Sequence, residues 1–490
     1  MANLPGSRNI SRLKKWQRLF VNRSLNMGNI KAIGFDMDHT LVVYNREAFE
    51  ALAFRETLKK FIASGYPEEL ATLAFDPNLL IRGLLVDMDR GNVLKVDGHK
   101  YVKVAYHGHV RLAKDVRRSV YNIESFKAGS LLSVDTFFSL SEVQLFTEIV
   151  DYMARNPNKI QKSYREVYDD LRRFIDQSHA DGSIKTHVLA HPEKFVRKDK
   201  YLALTLKQQI EAGKSLFLLT NSSWEYTNAL MTYILGDESD EFTDWRQYFE
   251  YILVSSGKPG FFTGSQPFYE IQTKTGTVKP LAGPLAERSI YQGGNAKLFQ
   301  QLTGIRGDEI LFVGDHIYGD IIRSKHSVNW RTLLVIEELG TELVKLEALK
   351  RALSDIRSKM EEREIADEDL QVLHSKLRWQ ERLMAHSQAN GEVKKAEYIG
   401  KEREKLATKS GRLATRLEKL DFEIKTMTEA RAARVHPVWG ELMKVGLERS
   451  RFADQVADYA CLYTSAVSNL RFYSPFKRFS SVHDMLAHDF

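Results

Sequence analysis

Short apolar runs that stop at a polar or turn residue recur along the chain: Ala32-Ile33-Gly34-Phe35, Ser215-Leu216-Phe217-Leu218-Leu219, Tyr251-Ile252-Leu253-Val254, Ile310-Leu311-Phe312-Val313 and Thr332-Leu333-Leu334-Val335-Ile336. Runs of this length without alternation predict strands buried on both faces. Between several of them lie amphipathic stretches with polar openings, such as Ser222-Ser223 ahead of Tyr226 to Leu235. Strands alternating with such helices predict an α/β fold, a doubly wound parallel sheet covered by helices. Ligands in these sheets bind beyond the carboxyl ends of the strands, so the polar residues directly after each run are the first candidates for chemistry.

The polar ends of the first two runs, Asp36 and Thr220, are 184 positions apart, which predicts a large insertion. It holds strand-like pieces at 82–86, 93–96 and 101–104 and helical ones at 140–156 and 164–177. From 341 to 430 there are 19 Lys/Arg, 18 Asp/Glu and no proline, and Leu346, Leu349, Leu353, Ile356 and Met360 keep a 3-4 spacing, as do Leu413, Leu417, Leu420, Ile424 and Met427. A polar break at 387–391 then predicts a long antiparallel helical hairpin, a strut or a contact between copies. The expected organisation is a basic helical arm over 1–30 and a core over 31–120 and 186–340. A cap over 121–185, the hairpin over 341–432 and a C-terminal helical segment packing on the core over 433–490 complete it.

Composition narrows the class. With 490 residues, 43% hydrophobic and 28% charged, the chain is globular rather than disordered. Its one cysteine, Cys461, excludes intramolecular disulfides and multi-cysteine zinc sites. No apolar run reaches the length of a membrane span and no signal-peptide core is evident, so a cytoplasmic protein without a membrane partner is expected. The net charge of +7 is modest. Part of it lies in the arm, where Leu13, Trp16, Leu19 and Phe20 supply an apolar face to an expected helix, so no nucleic-acid partner is expected either.

The first run delivers Asp36-Met37-Asp38-His39-Thr40-Leu41, two carboxylates two residues apart at a strand end. One carboxylate can attack while its companion handles a proton. The second run ends in Thr220-Asn221-Ser222, a hydroxyl followed by backbone N–H groups suited to phosphate oxygens. Lys258 follows the next strand and offers a compact positive charge. The fourth run ends in Gly314-Asp315-His316-Ile317-Tyr318-Gly319-Asp320, two acids on a glycine-bearing loop that suit a magnesium ion. Any one of these is weak: Asp87-Met88-Asp89 repeats the spacing of the first and is assigned to a turn.

In order and at successive strand ends, the four pieces resemble the haloacid dehalogenase-like phosphohydrolases. The resemblance extends to the cytosolic purine 5′-nucleotidases through Ser64-Gly65-Tyr66-Pro67, Arg82-Gly83-Leu84, Gly91-Asn92-Val93-Leu94-Lys95-Val96-Asp97, Lys258-Pro259-Gly260-Phe261-Phe262 and Trp330-Arg331-Thr332. It covers most of 33–336, resumes near 452–475 and leaves out the hairpin. It implies Mg²⁺ held by Asp36, the backbone carbonyl of Asp38 and Asp315, with Asp320 in support. Asp36 would be the nucleophile, Asp38 the general acid–base, and Thr220, Asn221, Ser222 and Lys258 the phosphate ligands. It also implies a purine nucleoside monophosphate substrate, with Phe138 stacking on the base and Arg172, Asp176, His179 and Lys185 recognising a 6-oxopurine, hence IMP and GMP over AMP. Transfer of phosphate to a nucleoside and a homo-oligomer, dimer or tetramer, are further implications. Ser139 stands where the family commonly has Asn beside the stacking Phe. The alternatives are a phosphatase of the same superfamily for another phosphomonoester, or a scaffold protein that uses the hairpin.

Overall fold

The computed structural model describes residues 12–121, 131–236, 242–273 and 275–481. The chain forms two compact units, Met1–Val344 with Leu442–Phe490, and Lys345–Glu441.

A ten-stranded sheet organises the first unit. In chain order its strands are β1 (Phe20–Val21), β2 (Ala32–Phe35), β3 (Ser215–Leu219), β4 (Tyr251–Val254), β5 (Phe268–Gln272), β6 (Thr277–Pro280), β7 (Ile290–Gly293), β8 (Ile310–Gly314), β9 (Arg331–Val335) and β10 (Leu462–Thr464). They lie in the order β1-β10-β9-β8-β2-β3-β4-β7-β5-β6. From β10 to β7 every neighbouring pair is parallel, and the strands at both edges are antiparallel. The period of two divides each central strand between two cores. Ile33, Phe35, Leu216, Leu218, Leu311 and Val313 face one, while Ala32, Phe217, Leu219, Ile310 and Phe312 face the other. Gly34 is where Phe217 crosses the sheet face: a Cβ there would lie 2.2 Å from its ring.

Register positions the chemistry. Phe35 stands opposite Val313 on β8 and Leu218 on β3. The residues that follow β2, β8 and β3 therefore leave the sheet side by side at its carboxyl edge, as the doubly wound reading expects.

The insertion differs from expectation. Leu85–Asp87, Asn92–Val96, Val102–His107, Val110–Arg111 and Leu131–Ser133 form one five-stranded antiparallel sheet. Because Leu131–Ser133 pairs with Leu85–Asp87, the boundary expected at 120/121 falls inside that sheet. Helices α1 (Arg46–Ala63), α2 (Phe138–Arg155) and α3 (Tyr164–Ala180) pack together beside it. The described part of the N-terminal arm forms no α-helix, only the short helical turns Lys15–Gln17 and Met27–Asn29. Tertiary partners take its backbone instead: β1 pairs with β10, and the Leu19 N–H donates to the Tyr473 hydroxyl at 3.0 Å. Residues 1–11 of that arm and 482–490 of the expected C-terminal segment lie outside the described residues. The C-terminal segment also contributes a strand, β10, as well as the helix Arg451–Tyr459.

Helix α4 (Trp224–Leu235) follows β3 in the first unit, and the second unit is a helical hairpin of α5 (Lys350–Ala389) and α6 (Val393–Val435). Cross-pairs Lys359–Glu423, Arg363–Asp421 and Arg403–Glu381 run in opposite chain directions, so the helices are antiparallel. Ala366, Leu370, Leu417 and Leu420 fill the seam. Gly391 turns the chain at φ 73°. No helix among the described residues is long and apolar enough to cross a membrane.

Candidate active site

Asp36 continues the ladder of β2, its N–H donating to the Val313 carbonyl at 2.8 Å. The chain then turns sharply: the N–H groups of Thr40, Leu41 and Val42 all donate to the Met37 carbonyl, and His39 takes φ 54°. This hairpin-tight loop points the two acids to different tasks. The Asp36 carboxylate accepts from the Met37 N–H at 2.7 Å and lies 2.8 Å from Lys258 Nζ. The Asp38 carboxylate is gripped by two hydroxyls, Tyr44 at 2.6 Å and Ser222 at 2.8 Å.

Lys258 follows β4, and its ammonium also lies 2.8 Å from Asp320. Burial works against its charge, but Asp320 and Asp36 outweigh that and hold it above the usual lysine range. Asn221 fastens this loop to the end of β3: its amide donates to the Lys258 carbonyl at 2.9 Å and accepts from the Lys258 N–H at 2.6 Å. Thr220 is fully buried, and its hydroxyl oxygen accepts from the Ser222 N–H at 3.1 Å.

Asp315 and Asp320 leave β8 through a helical turn, Ile317–Ile322. The glycine of this motif has a steric cause, because a Cβ on Gly314 would lie 2.5 Å from an Asp320 carboxylate oxygen. Oxygens of Asp36, Asp315 and Asp320 lie within 4.8 Å of one another. Burial raises Asp36 despite Lys258, and burial pushes Asp315 up to about 8 despite Arg82. Asp315 Oδ2 is buried without a hydrogen-bond partner. Lys258 bridges Asp36 and Asp320, and Arg82 lies 3.6 Å from the Asp315 carboxylate, so three carboxylates share two cations; hard oxygens with this excess of negative charge fit a divalent cation. The Asp38 carboxylate is not a member of the cluster. Burial raises it too, against the hydroxyls of Tyr44 and Ser222.

Arg82 carries a task that sequence reading did not assign. Fully buried, it donates from Nε and Nη2 to both oxygens of Glu338, at 2.7 and 2.8 Å, and from Nη1 to the Asp315 backbone carbonyl at 3.0 Å. It also lies over the Phe137 ring, 4.4 Å from its centroid. The fork therefore fixes the start of the acidic loop. The signal available was an arginine within Arg82-Gly83-Leu84, whose partner sits 256 positions away.

A cavity of about 680 Å³ opens beside these groups. Asp38, Asn221 and Ser222 line one part of it, and Phe138, Arg172, His179 and Lys185 another. Burial and the nearby Lys185 pull His179 down to about 4, so its imidazole is neutral at pH 7. Arg172 is held by the buried Glu142 at 2.8 Å and by Asp176 at 2.7 Å. Asp176 itself is largely exposed and does not line the cavity.

A sheet of this topology with these groups at its carboxyl edge belongs to a phosphomonoester hydrolase. More narrowly, the chain belongs to the 5′ nucleotidase family, whose model matches residues 19–490. It is 24% identical over 483 residues to a 5′-nucleotidase domain-containing protein of Dictyostelium discoideum, covering 97% of this chain and 75% of that one. Among solved structures it is similar to a predicted phosphoglycolate phosphatase from Haemophilus somnus, at 16% identity and TM-score 0.28, over 63% of this chain and 85% of that one. It is also similar to the putative HAD-hydrolase YfnB from Bacillus subtilis bound to magnesium, at 13% identity and TM-score 0.23, over 62% and 88%.

Proposed function

We propose that the protein is a cytoplasmic, Mg²⁺-dependent 5′-nucleotidase that hydrolyses purine nucleoside 5′-monophosphates, IMP and GMP ahead of AMP, through a phosphoaspartate on Asp36. One observation carries this reading: the two acids after β2 are held apart in function, Asp36 among Lys258 and the acidic cluster, Asp38 among neutral hydroxyls.

The Asp36 carboxylate attacks phosphorus, and the bond from phosphorus to the ribose 5′-oxygen breaks as Asp38 gives that oxygen its proton. Asp38 then takes a proton from the water that attacks the phosphoaspartate, which releases phosphate and restores Asp36. Asp36, Asp315, Asp320 and the Asp38 carbonyl would hold Mg²⁺, which supplies charge neutralisation to the phosphate. Lys258, Thr220 and Asn221 bind the phosphoryl oxygens as charge spreads over them. A nucleoside 5′-hydroxyl in place of water gives phosphotransfer.

Base choice follows from donors. Arg172, steadied by Glu142, and Lys185 present N–H groups that suit a 6-oxo acceptor, whereas the adenine amino group would leave them unpaired. Phe138 supplies the stacking face. The test is phosphate release from IMP, GMP, AMP, CMP and glucose 6-phosphate, with Mg²⁺ and with chelator, and with inosine added as acceptor. IMP and GMP are expected to lead, with no turnover in chelator. Equal turnover across the panel would overturn the base-pocket assignment.

A further inference from the structure

On α5, Ile365, Val372 and Trp379 stand seven residues apart and are 64%, 52% and 56% exposed. Seven-residue spacing places them in one stripe along the helix, about 21 Å long. The stripe lies roughly a third of a turn from Ala366, Leu370 and Leu373, the buried residues of the same helix. Three large apolar side chains in one line on a helix otherwise rich in charge mark a surface built for contact.

Charge identifies the occupant. Between 361 and 369 the helix carries six acids and one arginine, and between 370 and 380 two strong bases and no acid. Val372 is the midpoint: inverting the helix about it exchanges Ile365 with Trp379 and Glu368 with Lys376. Both of those charged residues flank the stripe and are exposed. Neither makes an ion pair within the chain among the described residues. A second copy laid antiparallel would therefore set Ile365 against the partner's Trp379, and Glu368 against the partner's Lys376, twice over. A parallel copy would set acid against acid.

We infer that this stripe of α5 is a homodimer surface, on which a second copy of the chain packs antiparallel about a two-fold axis at Val372. Each copy adds the same patch, so the contact closes at two and makes a four-helix arrangement with both hairpins. Trp379, flanked by Arg382 with its guanidinium 5.8 Å from the ring centroid, is the anchor at each end.

The test is sedimentation equilibrium of the full chain. The parent is expected to dimerise reversibly, and Val372→Glu, which brings two like charges together on the axis, to be monomeric with unchanged helical content. Glu368→Lys and Lys376→Glu each lose two attractions and gain two repulsions, and should weaken the dimer roughly tenfold. The double variant restores opposite charges across the axis and should return to the parent value. Oxidised Val372→Cys should cross-link between copies, while Arg378→Cys, on another face of the helix, should not. A parent that stays monomeric up to its highest soluble concentration overturns the inference. So does a dimer that Val372→Glu leaves intact, or a double variant no tighter than the singles.

Discussion

Arg82 gives a stability prediction with a distinctive pattern. Arg82→Met removes a buried guanidinium that donates to both oxygens of Glu338 at 2.7 and 2.8 Å and to the Asp315 carbonyl at 3.0 Å. Breaking a buried pair from one side strands the other charge, a cost of about 3–5 kcal/mol. The Glu338 side chain is 18% exposed, so some hydration places the expected loss in the lower half of that range. Glu338→Met should cost less, about 2 kcal/mol, because Arg82 keeps the Asp315 carboxylate at 3.6 Å as a counter-charge. Replacing both partners removes the stranded charge, and the double variant should lose only about 1–2 kcal/mol, chiefly the bond to the Asp315 carbonyl. The coupling is therefore about 3 kcal/mol or more, read from urea unfolding of the parent, both singles and the double. The double variant should still turn over about tenfold or more slowly, since the acidic loop has lost its anchor. Additivity of the singles within about 0.5 kcal/mol would refute the proposed role of the fork.

Other outcomes follow from the same geometry. Asp38→Asn should lower kcat by about 10²–10⁴ while the fold keeps its thermal midpoint, and an unchanged kcat would remove Asp38 from proton transfer. Burial pushes Glu50 up to about 7, opposed by its bonds with Ser141. The folded chain then binds that proton more tightly than the unfolded chain, so the contribution of Glu50 to stability is full below about 4.5 and is lost as pH rises through about 7. Glu50→Gln should abolish that decline and gain about 1–3 kcal/mol at pH 8 relative to the parent. Parallel pH–stability curves for the two proteins would contradict this.

The catalytic edge was legible because parallel strands carry their terminal residues to one place whatever the chain distance between them. Runs ending at Phe35, Leu219, Val254 and Val313 could be found as uninterrupted apolar segments, and the polar residues after them needed only the sheet to meet. The supports of that edge were not legible. Tyr44 and Arg82 are ordinary buried residues until their partners, Asp38 and Glu338, are placed beside them. The antiparallel insertion sheet was seen only in pieces, since strands of two to six residues leave a short pattern and Leu131–Ser133 is half-buried throughout. The arm failed for a different reason: its apolar spacing is helical, but Tyr473 and β10 claim its backbone first. Asp176 looked like a base contact on α3, and its exposed ion pair with Arg172 leaves it outside the cavity.

Asp36 is the proposed acceptor of the phosphoryl group. Quenching the enzyme during turnover of IMP with borohydride reduces an acyl phosphate to the alcohol, converting that aspartate to homoserine, which peptide mass spectrometry locates. Homoserine is expected at position 36, absent without substrate and absent in Asp36→Asn. Substrate-dependent label at another acid, or steady turnover with residue 36 unmodified, would contradict it.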